Sequence, residues 1–203
     1  RPVITATQML DSMVENPRPT RAEASDVANA ILDGTDAVML SAETAAGAYP
    51  RLAVEAMCRI ITEVESHPPV RRMLREKPRD DTTAVATEVA IAAATTAAVK
   101  MLHAPLVVVF TKSGFSARIV AAHRPGVSIL VLTDQPRTFR QLALVWGVIP
   151  ELVPHCENYD EMMVRAKDAV VKRQLAGKGD RIIVTAGVPF DVPGTTNLLK
   201  VET

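Results

Sequence analysis

Aromatic residues make up only 3% of the 203-residue chain. That scarcity argues against a surface on which nucleic-acid bases could stack. Charge of either sign is not in excess, since 23 Lys and Arg balance 23 Asp and Glu. No net field therefore draws the chain to polyanions or to an anionic membrane. Cysteine is nearly absent. Cys58 and Cys156 stand far apart without metal-ligand or redox spacing, and the reading is of two buried, unpaired thiols in a reducing compartment. The longest apolar stretch, residues 84–102, is rich in Ala and Thr and is interrupted by Glu88 and Lys100, too polar for a membrane span. His67, His103, His123 and His155 show no ligand spacing either. The expectation is a soluble, cytoplasmic α/β protein with no nucleic-acid or membrane partner.

What is present is a regular alternation of strand and helix. PVITAT reads as a strand. PRPTRAEASDVANAILDG then supplies a helix with Thr20 and Glu23 at capping-box spacing, Ala24, Val27, Ala28 and Ile31 as its apolar stripe, and Gly34 as its stop. DAVMLSA is a second buried strand, and Tyr49-Pro50 opens a helix whose face is Leu52, Ala53, Met57, Ile60, Ile61 and Val64. This βαβα order implies parallel strands. Two such strands cannot make a stable sheet, and PVITAT reads as a central strand at a raw terminus. The expectation is that the chain is the tail of something larger.

Residues 67–82 read as a linker, dense in proline and charge, in which Arg71, Arg72 and Arg75 form a solvated basic face. Residues 83–203 then read as one three-layer α/β domain with a mostly parallel, mixed sheet. Its helices are expected at 83–103, in SARIVAAH, at 136–146 and in NYDEMMVRAKDAVVKRQLAG. Its strands are PLVVVFT, SILVLTD and RIIVTAG, with TTNLLKVE as a short final strand and Trp146 packed in the core.

Two places gather polar chemistry. Thr7, Ser41 and Glu43 fall where the first two strands end, and the carboxyl ends of strands are the active face of a β/α barrel. A hydroxyl pair beside a carboxylate can relay a proton or hold water on a metal, or can simply cap the helices that follow. In the second domain FTKSGFSAR joins strand to helix, with Thr111, Ser113 and Ser116 hydroxyls, the Lys112 charge and a tight turn at Gly114. Free N–H groups at a helix start suit a phosphate; a plain capped helix is the other reading.

PVITATQMLDSM and NPRPTRAEASDVANAILDGTDAVMLSAETAAGAYP resemble the carboxyl-terminal part of the catalytic barrel of pyruvate kinase, and VVVFTKSGFSAR and PGTTNLLKV resemble pieces of that family's C-terminal domain. The resemblance implies the last two βα units of a (β/α)8 barrel over residues 1–66 and a regulatory domain over 83–203. The first six units would lie upstream. It implies phosphoryl transfer from phosphoenolpyruvate to ADP with Mg²⁺ and usually K⁺, in a homotetramer. Thr7 would touch the substrate, and Ser41 and Glu43 match the serine and glutamate of an LSGET-like motif tied to a proton relay. This chain reads LSAET, with Ala42 in place of glycine. The phosphoryl-binding lysine and the cation ligands would lie before Arg1, so the chain alone should be inactive. Thr111, Lys112, Ser113, Gly114 and Ser116 would form an allosteric phosphate pocket, with Gly187, Pro193, Gly194 and Thr195 on its second wall. Residues 188–194 hold no Arg, Lys or Trp, and Asp191 would repel an anion. The expectation is a monophosphate effector, such as a nucleoside or sugar monophosphate, or none. The other reading is a free-standing, non-catalytic phosphometabolite-binding module.

Overall fold

The structure, a computed structural model, describes residues 2–6, 8–67, 84–188 and 196–203. It divides into two compact units, Arg1–Thr82 and Thr83–Thr203. Thr7, Asp191, Pro193, Gly194, Thr195, the basic run Arg71, Arg72 and Arg75 and nearly all of the expected linker lie outside the described residues.

In the first unit β1 (Ile4–Thr5) pairs in parallel with β2 (Ala37–Val38), with Ile4 beside Ala37 and Thr5 beside Val38. Helix α1 (Arg21–Leu32) joins them, and α2 (Ala42–Ala45) and α3 (Pro50–Ser66) follow. The expected capping box is formed: the Thr20 side chain accepts from the Glu23 N–H while the Glu23 carboxylate accepts from the Thr20 N–H. Gly34 stops α1 at φ +90, a left-handed conformation that glycine adopts without a Cβ penalty. Leu10, Met13, Val27, Ala53, Ala56 and Met57 make the small core, as the apolar stripes of α1 and α3 require.

The strands depart from the sequence reading. Each is two residues long, and Val3 (56%), Ile4 (50%) and Met39 (41%) are exposed rather than buried. Each strand has one neighbour among the described residues, so the outer edges of the pair are uncovered there. The Thr35 hydroxyl binds the pair together at its start, within 3.2 Å of the Thr5 amide and 2.9 Å of the Thr5 hydroxyl.

The second unit is a three-layer α/β fold. Its sheet runs β5-β4-β3-β6-β7, with β3 (Leu106–Phe110), β4 (Ser128–Thr133), β5 (Val148–Leu152) and β6 (Ile182–Ala186) parallel and β7 (Leu198–Glu202) antiparallel to β6. Helices α4 (Thr87–Leu102), α5 (Phe115–Ala122) and α6 (Pro136–Leu142) pack on the face of Val107, Val109, Ile129, Val131 and Ile183. Helix α7 (Tyr159–Arg173) covers the opposite face, of Leu106, Val108, Leu130, Leu132 and Val184. Every residue of β3 is buried, which is why LVVVF reads as an unbroken apolar run rather than an alternation.

Four expectations of the sequence need correction. β5 was not foreseen, because Pro150 interrupts its pattern; as an edge strand it tolerates the missing N–H. Helix α6 ends at Leu142 rather than at Trp146. Trp146 is only half-buried, and the Arg124 guanidinium lies 4.5 Å from its ring centroid. Cys58 is exposed and Cys156 half-buried, so neither free thiol belongs to a core.

Candidate functional sites

At the end of β2 the chain turns into α2, and the two expected residues Ser41 and Glu43 meet through the backbone. The Ser41 N–H donates to Glu43 Oε2 at 2.7 Å, and the Leu10 N–H, 33 residues earlier, donates to Oε1 at 3.2 Å. Glu43 is 2% exposed although it is charged. Burial pushes its carboxyl up, but the N–H groups of Glu43, Ser41 and Leu10 outweigh it and hold the carboxyl below its ordinary value, against opposition from the Glu23 charge. The carboxylate is thus an ionised anchor joining the segment after β1 to the segment after β2. Ser41 itself is exposed and makes no side-chain cap.

Glu23 is the second anchor of this unit. Beyond its capping role it accepts from the Ser12 N–H at 2.6 Å, the Ser12 hydroxyl at 2.5 Å and the Thr20 hydroxyl at 2.7 Å. Burial works against ionisation, yet the Ser12 and Thr20 donors bring the pKa from 4.5 down to about 2. A depressed folded-state pKa stabilises the fold above the unfolded value and ceases to do so as pH falls. The full shift corresponds to roughly 3 kcal/mol, and solvent access at this half-buried site reduces that to about 2 kcal/mol. Glu23→Gln should therefore cost about 2 kcal/mol at pH 7, with the difference closing between pH 4.5 and about 2. Denaturant titrations of both proteins at pH 7 and near pH 3 check it; an equal gap at the two pH values would contradict it.

In the second unit the expected turn lies at the carboxyl end of β3. Strands β4 and β5 build outward on one side of β3 and β6 joins on the other, so the chain reverses its winding at the β3–β6 boundary. Open α/β sheets form their ligand crevices at that boundary. Thr111 Oγ1 accepts from the Gly114 N–H at 3.0 Å, and Ser113 Oγ accepts from the Phe115 N–H at 3.3 Å. Gly114 takes φ +77, and a Cβ there would meet Thr138 and Leu142 side chains at 3.2 Å. Ser116 is buried, its hydroxyl 2.5 Å from that of Thr196. Gly187 directly follows β6, the strand paired with β3.

Several residues that shape this turn were not singled out from the sequence. Thr138 donates to the Lys112 carbonyl at 2.7 Å, and Arg118 donates to the Ser113 carbonyl at 3.1 Å. Asn197 is doubly bonded to Val188, accepting from its N–H at 2.9 Å and donating to its carbonyl at 2.7 Å. Thr196 and Asn197 border the segment that was named; Thr138 and Arg118 show no signal without the fold. Among the described residues no group of three His, Cys, Asp or Glu could hold a metal ion, and no helix is long and apolar enough to cross a membrane.

Comparison with known proteins covers both units. The family model "Pyruvate kinase, barrel domain" matches residues 1–54, and "Pyruvate kinase, alpha/beta domain" matches residues 89–202. A pyruvate kinase of Geobacillus stearothermophilus is 48% identical over 202 residues, which is 100% of this chain and 34% of that protein. One from Agrobacterium vitis is 49% identical over 201 residues, 99% of this chain and 42% of that protein. Among solved structures, a pyruvate kinase from Cryptosporidium parvum superposes with a TM-score of 0.86 at 36% identity, over 100% of this chain and 40% of that one. The chain thus spans between 34% and 42% of these curated relatives.

Proposed function

The chain belongs to the pyruvate kinase family, and from that premise we propose that it is part of an enzyme transferring a phosphoryl group from phosphoenolpyruvate to ADP, giving pyruvate and ATP. The observation that carries the reading is the match of both units, in order, to that family's barrel and α/β domain models. A free-standing, non-catalytic binding module is not favoured, because residues 1–54 match the barrel. Residues 1–66 are then the last two βα units of a (β/α)8 barrel, 67–82 a linker, and 83–203 the regulatory domain. The exposed Val3, Ile4 and Met39 support this, being apolar positions that neighbouring strands of a barrel would cover.

On this reading Thr7 and Ser41 stand on the active rim. Glu43 acts on the reaction by fixing the backbone of Ser41 and Leu10, since its own lone pairs are turned to N–H groups. Mg²⁺ and K⁺ would neutralise charge on the moving phosphoryl group, and the proposal assigns their ligands to the other βα units of the barrel. The proposal takes the enzyme to be a cytoplasmic homotetramer.

The turn Thr111, Lys112, Ser113, Gly114 and Ser116, with Gly187, Pro193, Gly194 and Thr195 opposite, is proposed as the pocket of a phosphorylated allosteric effector. Its position at the reversal of the sheet and its glycine turn into α5 support the assignment. A single phosphate is the ligand chemistry that fits.

A coupled assay of pyruvate formation tests the activity. The 203-residue chain alone should give no phosphoenolpyruvate- and ADP-dependent turnover, and the longer protein carrying the first six βα units should give it. Lack of turnover in the longer protein with both cations supplied would refute the proposal.

A further inference from the structure

Four non-glycine residues among those described take a left-handed backbone: Gln8 at φ +52, His103 at +51, Arg124 at +45 and Gln174 at +55. All but Gln8 stand at helix ends, where that conformation is an ordinary stop. His103 and Gln174 cap α4 and α7, and the Arg124 N–H donates to the Ala121 carbonyl at the end of α5. Gln8 has no helix before it; it follows β1, beyond the carboxyl end of that strand. A left-handed residue other than Gly, Asn or Asp is strained, and such strain persists only where the surroundings over-determine it.

The Gln8 side chain is exposed, so no packing on it imposes the conformation. The residues after it do. Met9 and Leu10 are buried, and the Leu10 N–H is held by the Glu43 carboxylate at 3.2 Å. A single 3₁₀ turn, Asp11–Val14, comes next, with the Met13 N–H on the Leu10 carbonyl at 2.8 Å. Inside it Glu23 accepts from both the N–H and the hydroxyl of Ser12, at 2.6 and 2.5 Å. At its far end the Val14 carbonyl accepts from the Ala48 N–H at 2.8 Å. Gly47 backs the same point so closely that a Cβ there would fall 3.1 Å from Val14 Cα and 2.8 Å from the Glu43 carbonyl oxygen. The segment from Gln8 to Val14 is thus fastened at its start to α2, in its middle to α1 and at its end to the loop after α2. A plain connection from β1 to α1 requires neither the strain nor the fastening.

We propose that Gln8 is a positioning residue for the reaction at the rim, and that it acts through its left-handed backbone rather than through its amide. The turn it makes fixes how the chain leaves β1, directly after Thr7 in the sequence. The Glu43 and Glu23 carboxylates, on Leu10 and Ser12, hold that turn against its strain. The proposal rests on the reading that the ends of β1 and β2 belong to the active rim of a barrel. Strain held in place by a rigid surround is a form of preorganisation, and a misplacement of about 1 Å can cost about a hundredfold in rate.

Steady-state kinetics of the longer protein, carrying the first six βα units, test it with Gln8→Gly, Gln8→Asn and Gln8→Val. Gly and Asn accept a positive φ while discarding or shortening the side chain, and a β-branched residue resists it. Gln8→Gly and Gln8→Asn should therefore hold kcat within about threefold of the parent, whereas Gln8→Val should lower it by about tenfold or more. KM for phosphoenolpyruvate and for ADP should move little, as for an interaction realised in the transition state. Thermal melts establish that each variant is folded. Where Gln8→Val is not, Gln8→Ala takes its place with the same ranking expected, since one Cβ already disfavours the conformation. A fall in Gln8→Gly as large as in Gln8→Val would assign the effect to the side chain and overturn the proposal. So would a folded Gln8→Val, or the Gln8→Ala that stands in for it, with the kcat of the parent. Either result leaves the proposed activity standing, whereas absence of turnover in the parent overturns both.

Discussion

Glu43→Ala should be among the most damaging single substitutions in the first unit, although it removes no apolar contact. The carboxylate accepts from Leu10 N–H and Ser41 N–H inside a site only 2% exposed to solvent. Truncation leaves the buried Leu10 N–H and the part-buried Ser41 N–H with no acceptor, and a fully buried orphan costs about 1–3 kcal/mol. A loss of about 3 kcal/mol follows, before any water enters the gap. Glu43→Gln should cost less, about 2 kcal/mol, since one oxygen remains but its amide nitrogen must face a donor. Hydrogen exchange gives the most direct readout. The amides of Leu10 and Ser41 should lose protection together in Glu43→Ala, because one side chain holds both. Retained protection at either amide would mean that the carboxylate is dispensable to that segment. If the proposed function holds, the same variant should also lower turnover of the longer protein, through displacement of the Ser41 and Leu10 backbone.

That result bears on what the sequence could and could not reveal. The capping box of Thr20 and Glu23 was legible because its partners are three residues apart, and a helix start is a local event. The unbroken LVVVF run was legible for a similar reason: burial on both faces leaves its mark on each residue. The part played by Glu43 was not legible. Its position after a strand marked it as a rim residue, but its donor Leu10 lies 33 positions away and contributes only a backbone N–H, which any residue type would supply. The Ser116–Thr196 contact spans 80 positions and was hidden in the same way. β5 escaped notice because Pro150 excludes a central strand, and its edge position becomes evident only from the order of the sheet. Arg118 was hidden too, because the Ser113 carbonyl and the Gln141 side chain that it reaches come together only in the fold.

Ser113→Asp should separate ligand binding from stability in the second unit. Ser113 Oγ accepts from the Phe115 N–H at 3.3 Å, and a carboxylate at the same place can accept that bond with a full charge. Acids near a helix N-terminus stabilise it by about 0.3–1 kcal/mol, and α5 has none in its first turn. The variant should therefore melt no lower than the parent. Binding should move the other way. Two like unit charges about 4 Å apart repel by about 4 kcal/mol at an effective dielectric of about 20. Solvent at this exposed turn screens part of that, leaving an effect on the order of a hundredfold on phosphate affinity. A calorimetric titration with inorganic phosphate, paired with a thermal melt, reads both quantities from one preparation. Lost binding with an unchanged or raised melting temperature supports a phosphate seated on this turn. Undiminished binding in a folded variant would place the phosphate elsewhere and remove the effector pocket from residues 111–116.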